Sequence, residues 1–363
     1  MTIASFDFAG RRAKAQEAVR AANLDALIVT PGVHFNYLTG REMDTHERLS
    51  ALVVPAEGEC FIVVPKVDVS PDLMRTLRWG DGEDPYRLII GELFGGQHES
   101  AAETARIGVV PDMTADHLMR FQSRVASTVL FSSFFMIKDE EEINQLRAAG
   151  KAIDEVHAKV PALLRAGRTE REVADDIEKL IFESGHTAID FIIVGSGPNG
   201  ANPHHDFSDR VLEAGDPVVI DIGGTWGDGY HSDSTRTHVV PGAEPTEEFK
   251  NLASVLYKAQ VAAVEAARPG MTAGALDAVA RDIIEKAGYG EAYFHRTGHG
   301  IGLSTHEEPF IIAGSDVVLE PGMTFSIEPG IYLEGKYGAR IEDIVLITED
   351  GCERLNTQPR KVF

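Results

Sequence analysis

Between residues 164 and 342 the chain repeats itself, and that repeat restricts the fold more than any single motif does. "LRAGRTEREVADDI" (Leu164–Ile177) aligns with "ARPGMTAGALDAVARDI" (Ala267–Ile283) through Arg-x-Gly-x-Thr. Arg165 falls opposite Arg268, Gly167 opposite Gly270 and Thr169 opposite Thr272, each at an offset of 103 residues. Both threonines stand where a helix N-cap belongs, and Glu172 three residues after Thr169 completes a capping box. The offset persists to Gly185 and Gly288, where each helix ends. Further on, "GDPVVIDIG" aligns with "PGMTFSIEPG", which sets Asp221 opposite Glu328; Asp233 then falls opposite Glu342. Three matches in order, drifting by only a few residues, read as a duplication. Facing halves commonly build a site at their interface.

The aligned acids say what kind of site. Asp221 lies in "PVVIDIGG", Asp233 in "YHSDSTRTHVV", Glu328 in "FSIEPGIY" and Glu342 in "ARIEDIVLI". Each is embedded in apolar, β-branched sequence of the kind that forms interior strands. One such acid is ordinarily paired with arginine or caps a turn. Four in duplicated pairs converge if the halves fold face to face. Buried together without cations they repel one another and protonate at large cost. Arg236 and Arg340 can neutralise part of that charge; divalent metal does so better.

A nitrogen ligand comes from "HRTGHGIGLSTHEEP" (His295–Pro309). His295 and His299 stand four apart and would share a helix face, as helical zinc ligands do. Gly298, Gly300 and Gly302 argue against a helix, since each costs it about 1 kcal/mol. Alternating glycines indicate an extended segment that something approaches closely, with His299 pointing away from its glycine neighbours. His299 is thus the ligand, with His306 a catalytic neighbour and His295 in support. Four carboxylates and one imidazole form a hard, oxygen-rich set with bridging capacity for two ions. It favours manganese or cobalt over a closed structural zinc. Two ions about 3.5–4 Å apart can share a water and acidify it, so hydrolysis of an amide or ester is expected. The remaining histidines would contact the substrate carbonyl or the developing oxyanion.

The first third of the chain has another character. "DALIVT", "LSALVVP", "CFIVVP" and "RIGVVP" read as short buried strands between helical segments such as "AGRRAKAQEAVRAAN" and "ADHLMRFQSR", an α/β pattern. Near residues 130–138 a long amphipathic helix takes over, its stripe running through Ile143, Leu146, Ile153, Val156, Val160 and Leu163. Two domains are therefore expected, residues 1–135 and 136–363, α/β followed by α+β. The net charge of −23 argues against a nucleic-acid or anionic-membrane partner. Two distant cysteines, Cys60 and Cys352, supply no disulfide framework and fit a reducing compartment. The polar, periodic N-terminus is unlike a signal peptide, and no apolar run reaches the roughly 18 residues of a membrane helix. A cytoplasmic protein is expected. "GSGPNG" (Gly195–Gly200) matches a dinucleotide fingerprint, but "ANPHHDF" follows it where a helix is required, so it reads as a loop on the site's rim.

"GHGIGLSTHEEP", "IDIGG" with "GYHSDSTRT", "SIEPGIY" and "ARIEDIVLIT" together resemble the pita-bread metallopeptidases, specifically the Xaa-Pro peptidases, prolidase and aminopeptidase P. The likeness covers nearly the whole chain: residues 1–135, with "VTPGVHFNYLTG", are similar to the creatinase-type N-terminal domain, and a pseudo-twofold catalytic domain follows. The resemblance implies that Asp221, Asp233, His299, Glu328 and Glu342 bind two divalent metal ions, manganese ahead of cobalt or zinc. It implies that Asp233 and Glu342 bridge both ions, that Glu328 also shuttles a proton, and that a bridging water attacks the scissile carbonyl. His306 and His204 match histidines that bind substrate and stabilise the tetrahedral intermediate, His205 being the poorer match, and Arg340 resembles the family arginine beside the ligands. Phe191, His204, His295 and His306 are the implied substrate-binding residues. The implied substrates are small peptides with proline second, and the implied assembly is a homodimer. One departure stands out: Asp233 follows Asp221 by twelve positions instead of the usual eleven, with the extra residue in the turn-rich "GGTWGDGY".

Rival readings predict different residues. A metal-free hydrolase like creatinase, or a non-catalytic interaction protein on the same fold, would have eroded ligands, and none is missing. Methionine aminopeptidase shares the ligands but lacks the preceding α/β domain. Within the Xaa-Pro peptidases, a dipeptidase must recognise a free carboxylate beside the proline, usually by arginine, whereas an aminopeptidase leaves that end open. The compact length and the "HRTGHGIG" and "NPHH" segments favour the dipeptidase.

Overall fold

The computed structural model describes residues 6–43, 47–68, 73–95 and 103–362, and the chain divides into two compact units, Met1–Phe135 and Met136–Phe363. Among the described residues no helix is long and apolar enough to cross a membrane.

In the first unit the strands β1 (Ala26–Val29), β2 (Ala51–Pro55), β3 (Phe61–Pro65), β4 (Thr76–Trp79), β5 (Arg106–Val109) and β6 (Ser127–Leu130) form one sheet in the order β4-β3-β2-β1-β5-β6. The helices α1 (Phe8–Ala21), α2 (Val33–Thr39), α3 (Pro85–Leu93) and α4 (Ala115–Gln122) lie before β1, between β1 and β2, between β4 and β5, and between β5 and β6. β1, β2 and β3 are buried along their whole length, which is why they read as unbroken apolar runs. β4 and β6 are edge strands with partly exposed residues, and their mixed composition carries no such signal.

The second unit opens with α5 (Glu140–His157), capped by Asp139 in a capping box with Glu142. The single long helix expected from the stripe is in fact two, because α6 (Val160–Leu163) is separate. Pro161 explains the break: it has no N–H for the carbonyl of His157, and its ring clashes there. The stripe nevertheless stays on one side, with Leu146, Ile153, Val156 and Val160 all buried.

The two copies of the repeat then follow. The first comprises α7 (Glu170–Glu183), β7 (Ala188–Ser196), β8 (Pro217–Trp226) and β9 (Tyr230–Val239). A helix, α8 (Glu247–Ala266), leads to the second copy, which begins with α9 (Ala273–Lys286). The second copy continues with β10 (Gly298–Gly300), β11 (Glu307–Ile311), β12 (Thr324–Ile327), β13 (Gly330–Leu333), β14 (Tyr337–Arg340), β15 (Asp343–Ile347) and β16 (Cys352–Arg354). Thr169 and Thr272 are the N-caps of α7 and α9, each accepting from the backbone N–H three residues on. The tethers repeat as well. Gly167 N–H donates to Leu212 O and Leu212 N–H to Arg168 O; Gly270 N–H donates to Leu319 O and Leu319 N–H to Met271 O.

The copies diverge in their strands. β8 and β9 are continuous ten-residue strands in the sheet β7-β8-β9. Their counterparts are split, β12 from β13 at Glu328-Pro329 and β14 from β15 at Ile341-Glu342, with β12 and β15 in the sheet β11-β10-β12-β15-β16 and β13 and β14 forming a separate hairpin. Pro329 has no N–H to extend a ladder. Asp221 and Asp233 therefore lie inside strands as their sequence context indicates, but Glu328 and Glu342 occupy the breaks between strands.

Candidate metal centre

Strand alternation brings the first pair of acids together. β8 and β9 pair with Asp221 opposite Thr235 and Gly223 opposite Asp233, so Asp221, Asp233 and Thr235 share one face of the hairpin. The twelve-residue separation is accommodated in a three-residue turn, Gly227–Gly229, whose two glycines take the positive φ values of 55° and 93°. Arg236 points the other way. Its guanidinium pairs with Asp343 at 2.7 Å and with the carbonyls of Gln358 and Pro359, so it does not neutralise the four acids as the sequence suggested. The adjacent odd and even positions of a strand face opposite sides, which is the reason.

His299 sits at the middle of β10, and its glycines are there because backbone crowds them. A Cβ on Gly298 would lie 1.8 Å from Ser326 O, and one on Gly300 would lie 2.3 Å from Glu308 O. The His299 backbone N–H donates to Ser326 Oγ, and Ser326 Oγ donates to Glu328 Oε1, both at 3.0 Å. His299 Nε2 stands 3.2 Å from Glu328 Oε1 and 3.6 Å from Asp233 Oδ2. Asp233, His299 and Glu342 each bring a potential ligand atom within 4.8 Å of the others, and all three are buried.

Two of the carboxylates, Glu342 and Asp221, are held on one oxygen and left open on the other. Thr235 Oγ1 donates to Glu342 Oε2 at 2.6 Å, and Arg340 Nη2 donates to Asp221 Oδ2 at 2.6 Å. Glu342 Oε1 and Asp221 Oδ1 are buried and have no partner among the described residues. A buried, unpaired carboxylate oxygen is costly unless a cation receives it. The charge balance points the same way. Burial, then the charges of Glu342, Asp221 and Glu328, pushes Asp233 far above the usual carboxylate range. Burial, then Glu328 and Asp221, does the same to Glu342. Burial also pushes Glu328 upward, but the hydrogen bond and positive charge of His299 outweigh it and hold that carboxyl at about 2. The protein thus holds Glu328 as a carboxylate but disfavours the charged forms of Asp233 and Glu342, the electrostatic signature of a site built around cations. The oxygen-rich donor set with a single imidazole fits divalent metal.

A cavity of about 820 Å³ opens over these groups, lined also by Phe191, His204, His295, His306 and Arg340. The His306 ring meets that of His299 edge-on at 4.1 Å, and burial pushes its imidazolium form down to about 4, leaving a neutral imidazole. His295 is engaged on both nitrogens, with Arg296 O at 2.7 Å and Tyr332 Oη at 3.1 Å, so only its ring face is offered to the cavity. Arg340 is fully committed: beyond Asp221 it donates to Thr235 Oγ1, Tyr332 Oη and Pro203 O. His205 faces away from the cavity onto Glu170 at 2.9 Å. The "GSGPNG" segment ends in a 3-10 turn, Gly197–Ala201, that delivers Asn202, Pro203 and His204 to the cavity wall. Thr235, Ser326 and Tyr332 escaped the sequence reading. Two-residue spacing from Asp233 and from Glu328 marks the first two, and nothing local marks Tyr332.

Residues 144–349 match metallopeptidase family M24, and residues 11–148 match the creatinase/prolidase N-terminal domain. A protein of Mycobacterium tuberculosis named probable dipeptidase PepE is 47% identical over 375 residues, covering 98% of this chain and 96% of that protein. The Xaa-Pro dipeptidase of Lactobacillus helveticus is 38% identical over 358 residues, covering 93% and 94%. The crystal structure of dipeptidase PepE from Mycobacterium ulcerans superposes with a TM-score of 0.92 at 46% identity, covering 99% of this chain and 98% of that one.

Proposed function

The chain belongs to metallopeptidase family M24, and from that premise we propose that it is a metal-dependent Xaa-Pro dipeptidase, a prolidase. The observation that carries the reading is the convergence, in one cavity, of four carboxylates and an imidazole, with Asp221 Oδ1 and Glu342 Oε1 buried and without a partner among the described residues. Asp221, Asp233, His299, Glu328 and Glu342 would hold two divalent ions. Bound there, the ions supply Lewis acidity and lower the pKa of a water.

The remaining chemistry falls to the side chains. Glu328, oriented by Ser326, accepts the proton released as water attacks and passes it to the leaving proline nitrogen. Neutral His306, together with His204, donates hydrogen bonds to the carbonyl oxygen as it gains charge. Arg340 holds Asp221 in place, and Tyr332 links Arg340 to His295. Phe191 offers an apolar wall to the proline ring, with His295 beside it.

Manganese is the metal we propose ahead of cobalt or zinc, because the donors are hard oxygens. We also propose a cytoplasmic homodimer with no nucleic-acid or membrane partner, in keeping with the net charge of −23. The test compares Gly-Pro with Gly-Pro-Gly, with and without manganese. Metal-dependent cleavage of the dipeptide supports the reading. Cleavage of the tripeptide alone would make the protein an Xaa-Pro aminopeptidase.

A further inference from the structure

His306 lines the cavity with an imidazole that little holds directly. Among the described residues its ring makes no hydrogen bond, and its one ring contact is the edge-on meeting with His299. The ring's position is therefore inherited from the backbone on either side. The stretch before it, residues 302–305, belongs to no helix or strand and is gripped by one residue, His231, near the start of β9. The His231 backbone N–H donates to Gly302 O at 3.0 Å. Its ring Nε2 donates to Leu303 O at 3.2 Å, and Thr305 Oγ1 stands 3.4 Å from its Nδ1. That Nδ1 faces Asp190 Oδ2 at 2.6 Å, while Asp190 Oδ1 accepts from Thr225 Oγ1 at 2.9 Å.

The gripping pair belongs to the first copy of the repeat and the gripped stretch to the second. Asp190 falls where β7 slips in register against β8, between Ile189 and Phe191, and such a bulge re-aims the side chain it carries. Thr225 and His231 lie opposite each other in β8 and β9, and His231 shares its face of β9 with Asp233 two residues on. The side chain of His231 is 16% exposed and that of Asp190 13%, and neither lines the cavity, so they act on a substrate only through the wall. That wall has two ends. Asp190 adjoins Phe191, and the stretch held by His231 leads into His306, so one hydrogen-bonded bridge spans the residues assigned to the proline ring and to the developing oxyanion. Beyond His306 the chain is tied separately, by the buried pair of Glu307 with Lys138. Breaking the bridge therefore frees a short stretch and leaves its far end anchored. We infer that Asp190 and His231 are positioning residues that fix the His306 ring in the cavity; this rests on the oxyanion role given to His306 above.

The experiment is a double-mutant cycle on the manganese-loaded, full-length enzyme with Gly-Pro as substrate. A glutamine amide can place a donor near the position of the imidazole Nε2, whereas an asparagine amide reaches only that of Nδ1. His231→Asn is therefore expected to lower kcat by about 30-fold with KM changed by less than about threefold, and His231→Gln to stay within about fivefold of wild type. Asp190→Asn, an independent variant that keeps the ring and removes its carboxylate, is expected to lower kcat by about tenfold. In a His306→Ala background each loss should shrink to less than about twofold, because no ring remains to be positioned, whereas a general folding defect would persist in full. Manganese content and melting temperature are measured for every variant. Losses of equal size with and without His306, a His231→Gln enzyme no better than His231→Asn, or manganese lost in step with kcat overturn the inference while leaving the dipeptidase reading intact. A His306→Ala enzyme with unchanged kcat overturns the role assigned to His306, and the inference falls with it.

Discussion

Glu342 carries one oxygen fixed by Thr235 and one buried without a protein partner, and its carboxyl is pushed far above the usual range by burial and by Glu328 and Asp221. Glu342→Ala, like Asp233→Ala, is expected to lose bound manganese on dialysis, read by elemental analysis, together with activity. His306→Ala is expected to keep its metal and raise the barrier to turnover by about 2–4 kcal/mol, as for a lost oxyanion donor. Activity that survives chelation and dialysis would refute the metal mechanism at once. A second buried acid acts on stability alone. Glu170 accepts from the backbone N–H and Oγ of both Ser196 and Ser208 and from Asn199. Burial pushes its carboxyl up, but these hydrogen bonds outweigh burial and hold it below the ordinary 4.5. A depressed acid stabilises the fold above its unfolded pKa and loses that contribution as pH falls through the folded value. Glu170→Gln should therefore destabilise at pH 7 by about 1–3 kcal/mol in urea unfolding, and the gap to wild type should close below pH 4.5.

At the scale of elements, the two copies use the same joints with different strength. Thr169 caps α7 within a capping box, in which Glu172 also reaches back to the Thr169 N–H; Thr272 caps α9 with no such return bond among the described residues. Both Thr→Ala changes are expected to cost about 1 kcal/mol, Thr169→Ala the more of the two, by equilibrium unfolding. Equal costs would mean the box adds nothing. The β10 strand tolerates less. Gly298→Ala drives a methyl group into Ser326 O, and that backbone leads directly to Glu328. Its expected signature is loss of metal retention out of proportion to the loss of secondary structure, measured by elemental analysis beside circular dichroism.

For the whole molecule, every proposed ligand lies in Met136–Phe363 and none in Met1–Phe135. A metal that binds only the folded state stabilises by about 2.7 kcal/mol at a hundred times its Kd. Hydrogen exchange with and without manganese should thus show added protection in β8, β9, β12 and β15, and little in the six-stranded sheet of the first unit. Uniform protection across both units would contradict a site confined to the second.

Read alone, the chain displays what is local or periodic. The offset of 103 residues, the capping threonines, the unbroken apolar runs of β1 to β3 and the alternating glycines around His299 all report how nearby backbone folds, so they are legible without coordinates. The identities of the clustered acids are legible too, because the duplication aligns them. What tertiary structure alone decided is who partners whom. Thr235 reaches Glu342 across 107 positions and Arg340 reaches Asp221 across 119, and the repeat aligns neither pair. Packing also divided the arginines: Arg236 turned away and Arg340 was consumed. Such distinctions depend on distances between segments remote in sequence, and only the folded chain sets those distances.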